Sequence, residues 1–475
     1  MRILTVTAFS FSFLLAQAEI YFSPSFDIEE ARSGMASISS SDLEAHLTFL
    51  ASDVTEGRAT GEPGLQIAAE YIASQFRRLG LTPLGHNKSY FQRYELLKTK
   101  LGEDNELSLL VDHGSGSVRE KFQYKEDFFI SPRGLTGSIE IQAPVVFGGY
   151  GITAKEFGYN DYSNIVVKNS IVLIIDGEPE LDDPNRFNGS KNTRYADLRQ
   201  KLDAAKSNGA AAILVASNPR SVELFSDKFK RWKNWLRREG MSLPSSAATV
   251  PVFTISEPTA DRIVATSEKT LRELQVELES EGISNSQALP GSYIKLNVDL
   301  GKKAVTSQNV VGYFPGSDPY IGQETVVVSA HYDHVGKNSE GKIYYGADDN
   351  GTGTSTLMEV AEAIVKNKVS PKRGFLFLAV SGEERGLLGS KHYVTKPLIP
   401  LNNTVADLNI DMVGRNAPDS VYIIGSNMIS RDLHEMSVYA ASRLDDISLN
   451  YRYNSKDDPE RFYYRSDHYN FAQHG

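Results

Sequence analysis

The run Thr325-Val-Val-Val-Ser329 leads straight into Ala330-His-Tyr-Asp-His334, a β-branched strand with ligand-type side chains at its carboxyl end. Next comes Gly346-Ala-Asp-Asp-Asn-Gly351, ahead of residues 354–365, where Leu357, Val360, Ala361 and Ile364 follow helical spacing. A second strand at 375–380 ends in Ser381-Gly-Glu-Glu384, and a third at 405–410 ends in Asp411. This alternation, from about residue 309 onward, predicts a mostly parallel sheet flanked by helices. Ligands collect outside the carboxyl ends of such strands, so the four polar clusters are expected on one rim.

Each cluster has an ordinary structural explanation. A histidine after a strand is often a bystander, Asp-Asp-Asn-Gly is a common turn and helix cap, and Glu-Glu before a helix complements its dipole. Asp411 resists that treatment, because a carboxylate between Leu408-Asn-Ile410 and Met412-Val413 is costly unless paired or coordinated. Carboxylates packed together repel, and a divalent metal pair relieves the repulsion. The chain has no cysteine, so disulfides, thiolate nucleophiles and thiolate metal sites are excluded. Imidazole and carboxylate donors point to zinc, with manganese or cobalt also able to fill such a site, and two ions about 3.5 to 4 Å apart can polarise a carbonyl and activate the attacking water.

Working outward, 475 residues suggest two or three domains, and 40% hydrophobic with 23% charged residues is ordinary globular usage. A net charge of -10 gives no basic footprint for nucleic acid. Arg2, the apolar run 3–16 and Ala16-Gln-Ala18 read as a cleaved export signal, residues 1–18, which places the protein in a secreted or periplasmic setting. No other stretch is long enough to span a bilayer, so an integral membrane protein is not expected. Residues 42–50 and 64–80 read as helices, the second amphipathic through Leu65, Ala68, Ala69, Ile72, Phe76 and Leu79. The Gly-rich stretch 51–64 between them reads, on composition alone, as a surface connection. Strand signals dominate 105–295, at 107–111, 122–130, 145–147, 171–175, 211–215 and 250–255, with a helix at 196–208. A charged stretch at 228–239, with Trp232 and Trp235, reads as a surface helix. The expected division is therefore 1–18 signal, 19–104 leading helices, 105–295 a mainly β insert, and 296–475 the chemical core.

These motifs carry a resemblance. His331-Tyr-Asp333, Gly346-Ala-Asp-Asp-Asn-Gly-Thr-Gly353, Ser381-Gly-Glu-Glu-Arg-Gly-Leu-Leu-Gly-Ser390, Asn409-Ile-Asp-Met412 and Ser466-Asp-His-Tyr-Asn-Phe471 together resemble the M28 family of di-zinc aminopeptidases. Glu56-Gly-Arg58 and the helix after it resemble the leading part of such enzymes, and residues 140–280 resemble the protease-associated domain often inserted in them. The resemblance implies an α/β, three-layer α/β/α catalytic domain with an inserted mainly β domain, acting on peptide substrates. It implies that His331 and Asp411 bind one zinc, Glu384 the other, and Asp349 both. It makes Glu383 the general base and gives Asp333 the task of orienting the His331 ring. Asp348 is left as turn structure.

In one place the sequence departs from the family, whose second zinc takes a histidine from a motif beyond the Ser-Asp-His segment. This chain stops at His474-Gly475. The expectation is a fragment of a longer enzyme, with the second position reduced to Asp349 and Glu384 and metal binding weak or single. His468 and His474 do not match the family's ligand position. Glutaminyl cyclases and dipeptide carboxypeptidases share the scaffold, and a non-catalytic binding protein also fits an incomplete site.

Overall fold

Three short strands, two of them buried on both faces, build the layer that carries the ligands. The computed structural model describes residues 28–475 except 113–115, 133, 180–186, 190, 222–223, 237–238, 245–248, 282–285, 416, 445–446, 456–457 and 459, so residues 1–18, read from the sequence as an export signal, lie outside the described residues. Two compact units result, one from residues up to 92 and from 309 to 475, the other from 93 to 308. The crossings fall inside the long strands Phe91–Leu101 and Leu300–Phe314. Sequence reading drew its limits at 105 and 295, where composition changes, because a strand running on from one unit to the next gives no local signal.

In the first unit, Thr325–His331 lies between Gly374–Val380 and Thr404–Asn409, parallel to both. Gly374–Val380 in turn pairs antiparallel with the end of Leu300–Phe314, Val310 opposite Ala379 and Phe314 opposite Phe375. Side chains alternate by face. Val328, Ala330, Phe377 and Ala379 pack on one side with Leu65, Ile72 and Phe76 of helix Pro63–Arg78 and Leu357, Met358 and Ala361 of helix Gly353–Lys366. Val327, Leu376, Leu378 and Val380 pack on the other with Tyr393 and Val394 of helix Leu388–Thr395 and Phe471 of helix His468–Ala472. Helices on both faces of a mixed sheet, parallel where it carries the ligands, make the three-layer α/β/α arrangement that the motif order predicts.

Helix ends follow local chemistry. Ser39 caps Ser40–Leu50 by accepting from the Asp42 N–H at 3.1 Å. Pro63–Arg78 starts on proline and ends with Gly80 at φ +73°, where the Leu81 N–H reaches the Phe76 carbonyl and the Gly80 N–H that of Arg77. That pair of bonds requires a left-handed residue, which glycine supplies without strain.

The second unit holds an eight-stranded sheet whose centre, Ile139–Phe147, Ile171–Ile175, Ala212–Ala216 and Val252–Ile255, is parallel. Helices Leu198–Ser207, Glu257–Val264 and Leu271–Glu281 accompany it. The strand expected at 122–130 is broken: Ser117–Lys121 and Phe128–Ile130 flank a turn with Lys125 at φ 76°. Phenylalanines on both sides of that turn hid it from a propensity reading. The charged stretch with Trp232 and Trp235 forms helix Phe225–Leu236, whose Phe225 and Phe229 rings pack at a tilt against Phe129. No described helix is long and apolar enough to cross a membrane.

Candidate metal centre

His331 is the last residue of its strand and is fully buried, with the sheet register placing it opposite Val380. The turn after Val380 carries Glu383 and Glu384, the loop before Gly353–Lys366 carries Asp349, and Asp411 follows Thr404–Asn409. His331 Nε2 stands 3.3 Å from Asp349 Oδ1 and 3.4 Å from Asp411 Oδ1. Zinc bonds of about 2.0 to 2.1 Å in a tetrahedron set donor atoms about 3.3 Å apart, so this spacing is that of a donor set.

A second group shares Asp349. His334 and Glu384 bring donor atoms within 4.8 Å of one another and of Asp349. Where the sequence reading expected Asp349 and Glu384 alone, the structure also brings a histidine close to them, three residues beyond His331. The sequence shows both histidines in one loop, but spacing alone does not tell which faces the carboxylates. Neither His468 nor His474 joins either group among the described residues.

Several buried atoms here lack the partners that a folded protein normally gives them. Asp411 Oδ1, Glu384 Oε1 and His334 Nδ1 are buried without a hydrogen bond. A divalent cation would satisfy all three, and imidazole plus carboxylate donors suit zinc.

Much of the remaining hydrogen bonding aims the ligands. Asn350, wholly buried, accepts from the N–H groups of Gly353 at 2.9 Å and Met412 at 3.1 Å, and donates to the Ile410 carbonyl at 2.9 Å. One amide therefore ties the chain beside Asp349 to the chain on both sides of Asp411. Ser466 donates to Asp411 Oδ2 at 2.7 Å and accepts from Asn409. Asp348 faces away, pairing with Arg415 and accepting from the Gly414 N–H at 3.0 Å, as befits a loop clamp. The group at hydrogen-bond distance from His331 Nδ1 is the Asp333 carbonyl, at 3.2 Å. The Asp333 carboxylate, expected to orient that ring, is 3.8 Å away and accepts instead from Thr60 Oγ1 and the Glu383 N–H.

The Gly-rich stretch 51–64 is more than a surface connection, since Thr55, Arg58 and Thr60 within it are buried. Arg58 is 0% exposed and donates to the carbonyls of Tyr332, Leu50, Tyr345 and Gly346, while its own carbonyl accepts from His334. Composition misses this because glycine and acid mark loops in general; an arginine set among them is the only hint.

Electrostatics follow the crowding. Burial pushes Glu383 well above the usual carboxylate range; His331 opposes the rise, while Asp467, Asp333 and Asp411 add to it. Burial pulls the His331 imidazole down, but Asp349 and Asp411 outweigh it and hold the pKa well above the ordinary value. Burial lowers Arg58 to about 10 despite the carboxylates of Asp333, Asp349 and Glu384.

Known proteins offer matching pieces. Aminopeptidase YwaD of Bacillus subtilis is 35% identical over 149 residues, 30% of this chain and 31% of that protein. A probable leucine aminopeptidase of Trichophyton verrucosum is 32% identical over 137 residues, 28% of this chain and 37% of the relative. The chain thus matches about a third of the length of these relatives. The solved aminopeptidase of Aneurinibacillus sp. strain AM-1 aligns over 94% of this chain and 85% of its own, with TM-score 0.51 and 18% identity, a likeness of fold. All the donor residues lie within 309–475, and that segment matches the model of peptidase family M28.

Proposed function

We propose that the chain is an exported zinc aminopeptidase that removes the first residue from peptides. The observation that carries this reading is a pair of donor sets sharing Asp349, with Glu383 in the same turn as Glu384. His331, Asp349 and Asp411 would hold one ion, and Asp349 with Glu384 the other. Ions bound there supply Lewis acidity to the peptide carbonyl and make an attacking water more acidic. Glu383 takes the proton of that water and later hands it to the leaving amine. Asp333, fixed by Thr60, accepts from the Glu383 N–H and so sets the backbone that presents this base. The relatives named as aminopeptidases support the choice of peptide end. Export rests on residues 1–18, and the unit 93–308 is read as a protease-associated insert.

Hydrolysis of free and N-acetylated peptides, followed by release of amino acids, tests the reading. Only the free forms should be cut. Cleavage of the blocked peptides at their carboxyl end would replace it with a carboxypeptidase. Glu383→Ala should lower kcat by about 100-fold or more while both ions stay bound; unchanged turnover would remove Glu383 from the mechanism.

A further inference from the structure

We propose that Val54, Tyr344 and Tyr345 form the surface on which a peptide substrate lays the residues that follow the cleaved bond, and that this surface selects apolar side chains there. The inference rests on the aminopeptidase reading above and adds the second part of the substrate to it.

The three side chains are 58%, 44% and 47% exposed, although the segments that carry them are firmly tied down. Lys337 and Ile343 form an antiparallel bridge, and the Tyr344 N–H donates to the Gly336 carbonyl at 2.9 Å. The Gly336 N–H donates in turn to the Gly57 carbonyl at 3.0 Å, and Lys337 meets Glu56 at 2.8 Å. Arg58 donates to the carbonyls of Tyr345 and Gly346. Packing is close enough that a Cβ added at Gly57 would stand 2.4 Å from the Tyr344 carbonyl oxygen. The Tyr345 hydroxyl donates to Asp53 Oδ1 at 2.8 Å, which brings its ring to the turn Asp53–Thr55 that carries Val54. Exposed rings on so well fixed a loop lose little conformational freedom on contact, so what they touch is bound at low entropic cost.

Their place in the chain puts these groups at the rim of the metal centre. Gly346, next to Tyr345, lies against the His334 ring and the Asp349 backbone: an added Cβ would come within 2.5 Å of both His334 Cγ and the Asp349 carbonyl oxygen. Tyr345 and Tyr344 thus stand one and two residues out from the donor groups. An enzyme that removes the first residue holds that residue at the donors, so the rest of the peptide leaves across the rim. An extended peptide advances about 3.3 to 3.6 Å per residue, and its second and third residues therefore travel as far out as the two tyrosines. Two phenol rings and a valine offer contact to aliphatic and aromatic side chains, while the Asp53 carboxylate beside them repels acidic ones.

The zinc-loaded full chain is tested on four substrates. Leucinamide has nothing beyond the scissile bond, whereas Leu-Phe-Gly, Leu-Gly-Gly and Leu-Asp-Gly bring different side chains to the rim. With leucinamide as reference, wild type should cleave Leu-Phe-Gly with a kcat/KM about 10-fold above that for Leu-Gly-Gly, chiefly through KM, and Leu-Asp-Gly should be the poorest peptide. Tyr344→Ala should shrink the Phe-over-Gly ratio by about 5-fold, Val54→Ser should shrink it in the same direction, and Tyr344→Phe should keep it. Zinc content and far-UV circular dichroism of each variant keep lost folding apart from lost contact. A wild-type ratio near unity, or a ratio unchanged in both Tyr344→Ala and Val54→Ser, would overturn the inference and leave the aminopeptidase reading intact. Failure of wild type to release leucine from any of the four would overturn that reading and this inference with it.

Discussion

Arg58 is a buried cation with no carboxylate paired to it among the described residues, a situation that normally costs several kcal/mol. Four carbonyls take up its donors, and Asp333, Asp349 and Glu384 lie close enough to act on its charge. Lysine cannot copy this, since a compact ammonium lacks the planar fork that reaches Tyr332, Tyr345 and Gly346 at once. Arg58→Lys should therefore lower stability by about 3 kcal/mol in urea unfolding and weaken zinc binding; a loss under about 1 kcal/mol would mean that the carbonyls are satisfied in some other way. At this scale the sequence was legible wherever a side chain ended a strand. His331, Glu384 and Asp411 stand out because apolar runs precede them, and Asp349 because it precedes a helix. Arg58, Asn350 and His334 do not stand out: their partners are carbonyls, amides and a carboxylate brought together only by folding.

At the level of elements, two glycines at helix ends respond to a methyl group for different reasons. Gly80 sits at φ +73° with nothing within 4 Å of the place a methyl carbon would take, so Gly80→Ala should cost only conformational energy, about 1 kcal/mol. Gly353 begins its helix at an ordinary φ, but an added Cβ would stand 2.3 Å from both Asn350 Oδ1 and the Ile410 carbonyl. Gly353→Ala should cost more than Gly80→Ala, and unlike it should also weaken zinc binding, because Asn350 must move. Calorimetry with and without zinc separates the two; equal shifts in both variants would contradict the distinction. Long helices were readable from periodicity, since burial of one face imposes it, and the strands from continuous apolar runs, since they are buried on both faces. The turn between Lys121 and Phe128 was not, because its aromatic flanks, Phe122 and Phe128, are buried in the same core as the strands.

For the molecule as a whole, pH dependence exposes a buried amine in the second unit. Lys201 is fully buried in the second unit, donating to the carbonyls of Ile175 and Gly177. Burial lowers its pKa from 10.5 to about 8, against the pull of Asp176, Asp161 and Glu178. Between those values the unfolded chain holds a proton that the folded chain has released, so stability rises with pH across that window. Relative to Lys201→Met, wild type should gain about 3 kcal/mol between about pH 7.5 and 10.5 in urea unfolding; parallel curves would show that the amine stays charged when folded. The alternation of strands and helices disclosed the layered core of the first unit, whereas the limits of the units, lying within strands, left no mark in composition.

The stretch from Gly57 to Thr60 sits nearly three hundred positions ahead of the histidines it steadies, and this has a practical outcome. Residues 309–475 contain every donor atom, yet expressed by themselves they would lack the guanidinium and hydroxyl that keep those donors in place. Excised in that way, the stretch carrying the family's signature should behave as a scaffold missing its keystone. Nicking the intact chain near Gly57 should release zinc almost as effectively as removing a ligand.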